Sequence, residues 1–468
     1  MLLKYFYDKA LAHASYMVGC QRSGEAIIFD PARSIDQYLA AADAEGLRIV
    51  GAAETHIHAD FVSGSRELAH RAGATLYLSD EGTPDWKYLY AGQHSTRLLK
   101  NGEIFHIGKV KFEVMHTPGH TPESISFILT DEGGGANEPM GIFTGDFVFV
   151  GSIGRPDLLE TAAGIVGSAE AGARQLYHST CRFRELPRHM QVWPAHGAGS
   201  ACGKGLGAIP STTVGYEVLF NPALQYKDEQ KFVDYILSDQ PETPFYFAEM
   251  KRINKVGPEL IQTLPEVALL DPAKALQIAR EYLLIDTSAS GDFANAHLPG
   301  SINIPATTLV QWAGFFVDYH QPLYLITGSD QLAENLRQLR SIGIDNVAGY
   351  FESAAIRGAG LSTESYLSET PEQLRSKIES GGVKLLDVRA ATEFREGHIA
   401  GAEHRFLGTL LRTAGDLDRG QPVATQCLGG ARSAIAASIL QRAGLQVTNM
   451  QGGYKAWLEA GFPVVQSP

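Results

Sequence analysis

Histidine and aspartate crowd the segment Glu54–Gly64, ETHIHADFVSG, where His56, His58 and Asp60 take alternate positions and Phe61 follows directly. Three later loops have the same character: His116 and His120 in HTPGHTPES, Asp146 in FTGDF, and His196 in WPAHGAG. Imidazole and carboxylate are the ligands of zinc, iron and related ions. One histidine at a strand end is ordinarily structural, but this ordered series of loops predicts a metal site. A different chemistry stands near the other end, in TQCLGGARS, Thr425–Ser433. Cys427 there follows a buried apolar run and precedes a helical one. Backbone N–H groups of Leu428, Gly429, Gly430, Ala431 and Arg432 are expected to curl around its sulfur. The helix N-terminus favours negative charge, so the loop stabilises a persulfide anion. Arg432 adds a fixed cation able to bind an oxygen of sulfite or thiosulfate.

These residues need elements to hold them. Before the first metal-type loop and between the later ones lie short strand-like runs: AIIFD, LRIVGAA, ATLYLS, KFEVMHT, SISFIL and MGIFTGDFVFV. Helical pieces and Gly/Pro/Asp turns separate them, and the candidate ligands sit just after several strands, where α/β folds gather their chemistry. The C-terminal half is an internal repeat. LLIDTSASGDFANAHLPGSINIP (Leu283–Pro305) matches LLDVRAATEFREGHIAGAEHRF (Leu385–Phe406), with Asp286 and His297 spaced as Asp387 and His398 are. Each copy reads as strand, helix, strand, loop and helix, the pattern of a small doubly wound parallel α/β domain. The expected domains are residues 1–255, 265–358 and 369–466. The polar, turn-rich GAGLSTESYLSETPEQ links the last two. Alignment of the repeats puts Thr327 where Cys427 stands and Leu332 where Arg432 stands, so the first copy has lost nucleophile and anion binder together.

The bulk numbers agree with such an enzyme. The chain has 468 residues, against a soft prior of ~150 per domain. Its net charge of −13 counts against nonspecific nucleic-acid binding. No apolar run approaches the ~20 residues of a membrane span, and the N-terminus lacks a signal-peptide core, so no membrane partner is expected. Four cysteines (Cys20, Cys181, Cys202, Cys427) are too few for a disulfide scaffold and suit a reducing, cytoplasmic setting.

The order His-x-His-x-Asp, Pro-Gly-His, Thr-Gly-Asp, Pro-Ala-His resembles the metallo-β-lactamase superfamily over residues 1–250. THIHADFVSGS, TPGHTPES, FTGDFVFVGSIGRPDLL and WPAH look most like its persulfide dioxygenases. The Cys-x₄-Arg loop and LLDVRAATEFREGHIAGAEH resemble the rhodanese sulfurtransferases; the related phosphatases use Cys-x₅-Arg, and the shorter ring suits a sulfur. The whole order is similar to bacterial persulfide dioxygenase–rhodanese fusions with a first, inactive rhodanese-like unit. The implied fold is an α/β chain, a metallo-β-lactamase αββα sandwich followed by two rhodanese-like doubly wound domains. The resemblance implies one Fe(II) per chain held by His56, His120 and Asp146, with open positions for O₂ and a persulfide sulfur. His58, Asp60 and His196 become groups that orient ligands and move protons, and His116 is not a ligand. Arg155, with Asp157, matches a motif beside the iron pocket. It either attracts an anionic substrate or fixes a loop. Cys202, six residues after His196 in a glycine-rich stretch, is a candidate for handling sulfur. Asp387, Arg389, Glu393 and His398 look like scaffold around the Cys427 loop.

The expected activity is oxidation of a low-molecular-weight persulfide, such as glutathione persulfide, to sulfite. At Cys427, sulfane sulfur would be interconverted among persulfide, sulfite and thiosulfate. A homo-oligomer is expected, because this superfamily often dimerises. Two alternatives stand beside this reading. In a two-zinc thioester hydrolase of the glyoxalase II kind, His56, His58 and His120 hold one metal and Asp60 and His196 the other, with Asp146 bridging; Phe61 then replaces a ligand. The other alternative is a non-enzymatic sulfur carrier or sensor.

Overall fold

The computed structural model describes residues 1–158, 160, 167–238, 240 and 242–466. Its chain divides into two units, Met1–Leu264 with Arg340–Gly343, and Pro265–Leu339 with Ile344–Pro468. In the first unit, β1 (Leu2–Asp8), β2 (His13–Cys20), β3 (Glu25–Phe29), β4 (Arg48–Ala53), β5 (Thr75–Ser79) and β6 (Thr96–Leu99) make one sheet in chain order. A second sheet is built from β7 (Ile104–Ile107), β8 (Val110–His116), β9 (Ile125–Thr130), β10 (Gly141–Gly145), β13 (Gln191–Pro194) and β14 (Thr212–Thr213), in the order β14-β13-β10-β9-β8-β7. The two-residue strands β11 (Val148–Phe149) and β12 (Ser152–Ile153) pair as a separate hairpin.

Period-2 alternation decides what each strand face meets. Tyr16, Val18, Ile27 and Phe29 point into a core shared with Phe105, Phe112, Phe127, Phe143 and Trp193 of the other sheet. Their neighbours Met17, Ala26 and Ile28 turn the opposite way, onto Tyr38 and Ala42 of helix Asp36–Ala44 and Leu68 of helix Ser65–Ala72. The outer face of the second sheet, with Ile142 and Val192, is covered by helices Ser168–Glu185 and Glu229–Leu237. The layering is therefore helix, sheet, sheet, helix, the expected αββα sandwich. Phe29 and Phe143 stack across the seam at 4.4 Å and 8°. A fully buried phenylalanine contributes about 2–3 kcal/mol, so this seam holds the sheets, and the loops at their ends, in fixed register.

One expected element is split. MGIFTGDFVFV reads as a continuous strand, but β10 stops at Gly145, whose φ is 54°. A Cβ there would run into Thr55. The left-handed turn ends the strand and delivers Asp146 to the loop of His56.

In the second unit the repeat appears as two five-stranded sheets of matching order. Strands β15 (Ala268–Leu269), β16 (Leu283–Asp286), β17 (Ile302–Asn303), β18 (Leu323–Thr327) and β19 (Val347–Glu352) run β15-β19-β18-β16-β17. Strands β20 (Leu367–Glu369), β21 (Lys384–Asp387), β22 (Glu403–His404), β23 (Val423–Gln426) and β24 (Val447–Met450) run β20-β24-β23-β21-β22. All these pairings are parallel, as doubly wound domains require. No helix among the described residues is long and apolar enough to cross a membrane.

Candidate functional site

The loops after β4, β8, β10 and β13 bring His56, His120, Asp146 and His196 to one end of the sandwich. Donor bookkeeping shows which atoms are left for a metal. Thr55 Oγ1 lies 3.0 Å from Asp30 Oδ2 and 3.0 Å from His56 Nδ1. The hydroxyl has one proton and donates it to the carboxylate, so His56 Nδ1–H donates to Thr55 and the Nε2 lone pair stays bare. His120 Nδ1 donates to the Arg155 carbonyl at 3.0 Å, which likewise bares its Nε2. Asp146 Oδ1 accepts from His196 Nδ1 at 2.7 Å, leaving Oδ2 toward the two histidines. Asp146 Oδ2 lies 3.5 Å from His120 Nε2 and 3.9 Å from His56 Nε2. Buried His56 Nε2 and Asp146 Oδ2 have no hydrogen-bond partner among the described residues. Ligand-type atoms of His56, His120 and Asp146 lie within 4.8 Å of one another, two of them buried and unpartnered among the described residues, and this fits a transition-metal ion.

The electrostatics match. Burial pushes the His56 and His120 pKa values down, keeping both rings neutral as ligands must be. Burial alone would raise the Asp146 carboxyl, but His196 and the two facing histidines hold it well below its usual range. His196 is pushed up to about 10 despite its burial, because Asp146 and Asp60 flank it; its Nε2 is 2.6 Å from Asp60 Oδ2. His58 lies near His56 but turns to other partners, with Nε2 3.1 Å from both Asp30 Oδ1 and Glu54 Oε2. Those carboxylates outweigh burial and raise its pKa well above normal.

Phe61 is buried, with its ring 3.7 Å from the ring of His13 and 4.4 Å from that of His58. An apolar ring thus stands beside Asp60 and His196. Ligand-type atoms of Asp60, His196 and Cys202 still lie within 4.8 Å of one another. The Cys202 thiol is raised well above its ordinary pKa by burial, reinforced by Asp60 and Asp146. Arg155, read as a substrate binder or a loop bracket, has a buried guanidinium. Its donors go to Asp157 at 2.9 and 2.5 Å, Ala201 O at 3.2 Å and Thr243 Oγ1 at 3.1 Å. Together with its carbonyl on His120 and its N–H on the Cys202 carbonyl, this makes it a bracket, and the anion-attracting role does not fit. His116 lies away from the trio, against Pro122 O at 2.9 Å.

Sequence reasoning missed several members. His13 is buried, its Nε2 has no hydrogen-bond partner among the described residues, and burial lowers its pKa to about 3. It reaches the site through a bridge between His13 and His196, which no local motif announces. Asn254 donates to the carbonyls of His58 at 2.8 Å and Phe61 at 2.7 Å, tying down the ligand loop. Asp30 and Glu54 were equally silent; both are ordinary acids until His58 is placed between them.

At the second candidate site, β23 ends at Gln426 and helix Ala431–Arg442 begins after Gly430, whose φ is 96°. Of the amides expected around the sulfur, Gly430 N–H donates to Cys427 Sγ at 3.1 Å. Tyr454 N–H holds the Cys427 carbonyl at 2.7 Å. Arg432 closes the loop and pairs with both oxygens of Glu393 at 2.6 and 2.8 Å. Arg389 binds Asp387 at 2.7 Å and lies over the Tyr454 ring at 4.2 Å. In the first repeat, the Thr327 hydroxyl is buried and accepts from Asn335 Nδ2 at 2.8 Å.

The sequence pattern of the metallo-beta-lactamase superfamily matches residues 8–196, and that of the rhodanese-like domain matches residues 370–460. The crystal structure of a metallo-beta-lactamase from Staphylococcus aureus subsp. aureus COL is 43% identical, covers 75% of this chain and 98% of that one, and superposes with a TM-score of 0.68. The mitochondrial persulfide dioxygenase ETHE1 of Bos taurus is 27% identical over 249 residues, 52% of this chain and 84% of the bovine protein. Its Homo sapiens counterpart is 27% identical over 203 residues, 42% of this chain and 68% of that protein. Matched over 98% of the staphylococcal protein at 43% identity, and carrying both domain patterns, this chain belongs to the metallo-β-lactamase superfamily with a C-terminal rhodanese-like domain, as in an ETHE1–rhodanese fusion.

Proposed function

We propose that the chain is a persulfide dioxygenase coupled to a sulfurtransferase, with residues 1–255 as the oxidising part, 265–358 as an inactive rhodanese-like unit and 369–466 as the active one. The observation that carries the reading is the convergence of ligand-type atoms of His56, His120 and Asp146 within 4.8 Å of one another, in one chain with the Cys427 loop. Fe(II) bound there would supply the redox chemistry through which O₂ meets a persulfide sulfur. The overall reaction is RSSH + O₂ + H₂O → RSH + SO₃²⁻ + 2H⁺. Thr55 and the Arg155 carbonyl aim the two imidazoles. His196 anchors Asp146 and keeps a proton at Nε2 opposite Asp60, a place where one proton can be held or returned. Phe61 and His13 line the adjoining space and exclude water. Cys202, grouped with Asp60 and His196, is a candidate for receiving sulfur.

At the other site, the Cys427 thiolate attacks the outer sulfur of a persulfide, a Cys–S–S bond forms and the carrier thiolate leaves. Sulfite then attacks that sulfur, thiosulfate departs and the thiolate is restored; the reverse sequence makes a persulfide. The low-molecular-weight carrier is glutathione or a similar thiol, and the setting is cytoplasmic. A two-metal hydrolase is the second reading, favoured by the closeness of Asp60, His196 and Cys202 to one another, with His196 bonded to Asp146 of the trio. Metal content after anaerobic purification, with O₂ uptake on adding glutathione persulfide, separates them. One iron per chain with sulfite or thiosulfate appearing supports the dioxygenase. Two zinc ions with no O₂ uptake would return the N-terminal part to the hydrolases.

A further inference from the structure

Within the second unit, a cavity of about 1030 Å³ lies between the two repeats. Small-molecule sites run to roughly 300–1000 Å³, and thiosulfate or sulfite, with five atoms or fewer, needs little of this. One wall carries Ala431 and Arg432, which close the loop whose Gly430 N–H donates to the Cys427 sulfur. The opposite wall belongs to the inactive repeat, including its silent loop at Asp330.

The wall on the inactive repeat differs from its counterpart in the active copy. Ser288 of the cavity wall stands where the active copy has Arg389, so no guanidinium occupies that position of the wall. Asp292 occupies the place of Glu393, but Leu332 has replaced the arginine that Glu393 holds. The carboxylate was kept and its cation lost. Asp292 and Asp330 are exposed in the cavity, as is Arg357, while Trp312 offers an aromatic face. Altogether the lining has three carboxylates (Asp292, Asp330, Glu352) and two guanidiniums (Arg357, Arg432). Both signs at one wall suit a molecule carrying an ammonium and a carboxylate. A polyphosphorylated thiol would need a cationic excess, which is missing here.

We propose that this cavity is the carrier site of sulfur transfer. It takes the body of a zwitterionic, amino-acid-derived thiol of glutathione size, its sulfur directed past Arg432 to Cys427. The inactive repeat has exchanged catalysis for recognition. The inference rests on Cys427 being the sulfur-transfer nucleophile, and the test keeps the two apart. Full-length protein is assayed for transfer from thiosulfate to cyanide, which is too small to use the cavity, and to glutathione. In Asp292→Asn/Asp330→Asn, and separately in Arg357→Gln, the ratio of kcat/KM for glutathione to that for cyanide should fall about tenfold or more, the loss expected from removing charge-assisted contacts. A ratio within twofold of wild type in both variants overturns the carrier site. A ratio that falls for coenzyme A and not for glutathione overturns the ligand class. If wild-type protein transfers nothing to cyanide, the nucleophile assignment itself fails, and the carrier site with it.

Discussion

Thr55 is the residue through which His56 is aimed, and replacing it isolates that role. Thr55→Val keeps the volume of the side chain but deletes the hydroxyl that sits 3.0 Å from both His56 Nδ1 and Asp30 Oδ2. Without an acceptor at Nδ1, the neutral imidazole is free to take the tautomer that protonates Nε2, the atom facing Asp146. Loss of such an outer partner typically costs about 10–100-fold in metal affinity, about 1.4–2.7 kcal/mol. The buried His56 N–H left unpaired adds a further cost of about 1–3 kcal/mol to folding. Asp30 suffers less, because Thr55 N–H still donates to its Oδ1 at 2.7 Å. Metal-free protein would be titrated with Zn(II), an air-stable probe, against a competing chelator, with thermal unfolding followed in parallel. Thr55→Ser, which retains the hydroxyl, should bind close to wild type. Zinc affinity of Thr55→Val within twofold of wild type, in protein that melts normally, would refute the argument that this hydroxyl sets the tautomer of His56.

Three further outcomes are expected. Cys427→Ser should abolish transfer from thiosulfate to cyanide while O₂ uptake with glutathione persulfide continues; loss of both would show that the two sites do not work independently. Phe61→His should raise zinc bound per chain from one toward two, measured by elemental analysis, because it restores an imidazole beside Asp60 and His196; an unchanged stoichiometry would mean that Phe61 is not what weakens the second position. Glu123 is fully buried, and burial raises its carboxyl to about 7. The folded state therefore holds a proton that the unfolded chain releases near 4.5, and this group costs the fold stability as pH rises from about 4.5 to 7, on the order of 3 kcal/mol in all. Glu123→Gln removes that cost, so its Tm relative to wild type should be higher at pH 8 than at pH 5; an equal offset at both pH values contradicts the buried, protonated carboxyl.

Much of this was legible before any coordinates. Ligand-type residues cluster just after apolar strand runs, and loop length is short enough that the order His56, His120, Asp146, His196 survives folding as one rim of loops. The repeat, and the loss of Cys427 and Arg432 from its first copy, are matters of residue identity alone. A threonine lacks the sulfur chemistry wherever it is placed.

Tertiary structure decided which way each group faces. His56 and His58 share one loop, two residues apart, yet one bares Nε2 toward Asp146 and the other is clasped by Asp30 and Glu54. The difference is made by Asp30 just after β3 and Glu54 at the start of the loop itself, and a lone pair's direction depends on the partner of the opposite nitrogen. Arg155 carries the same charge in either reading; only its packing against Asp157, Ala201 and Thr243 showed that its donors are already taken. His13 entered the site through backbone pairing with His196, which lies far along the chain. Composition and spacing determine what chemistry this chain carries. Long-range packing, by choosing each group's neighbours and its access to water, determines which atoms are left to perform it.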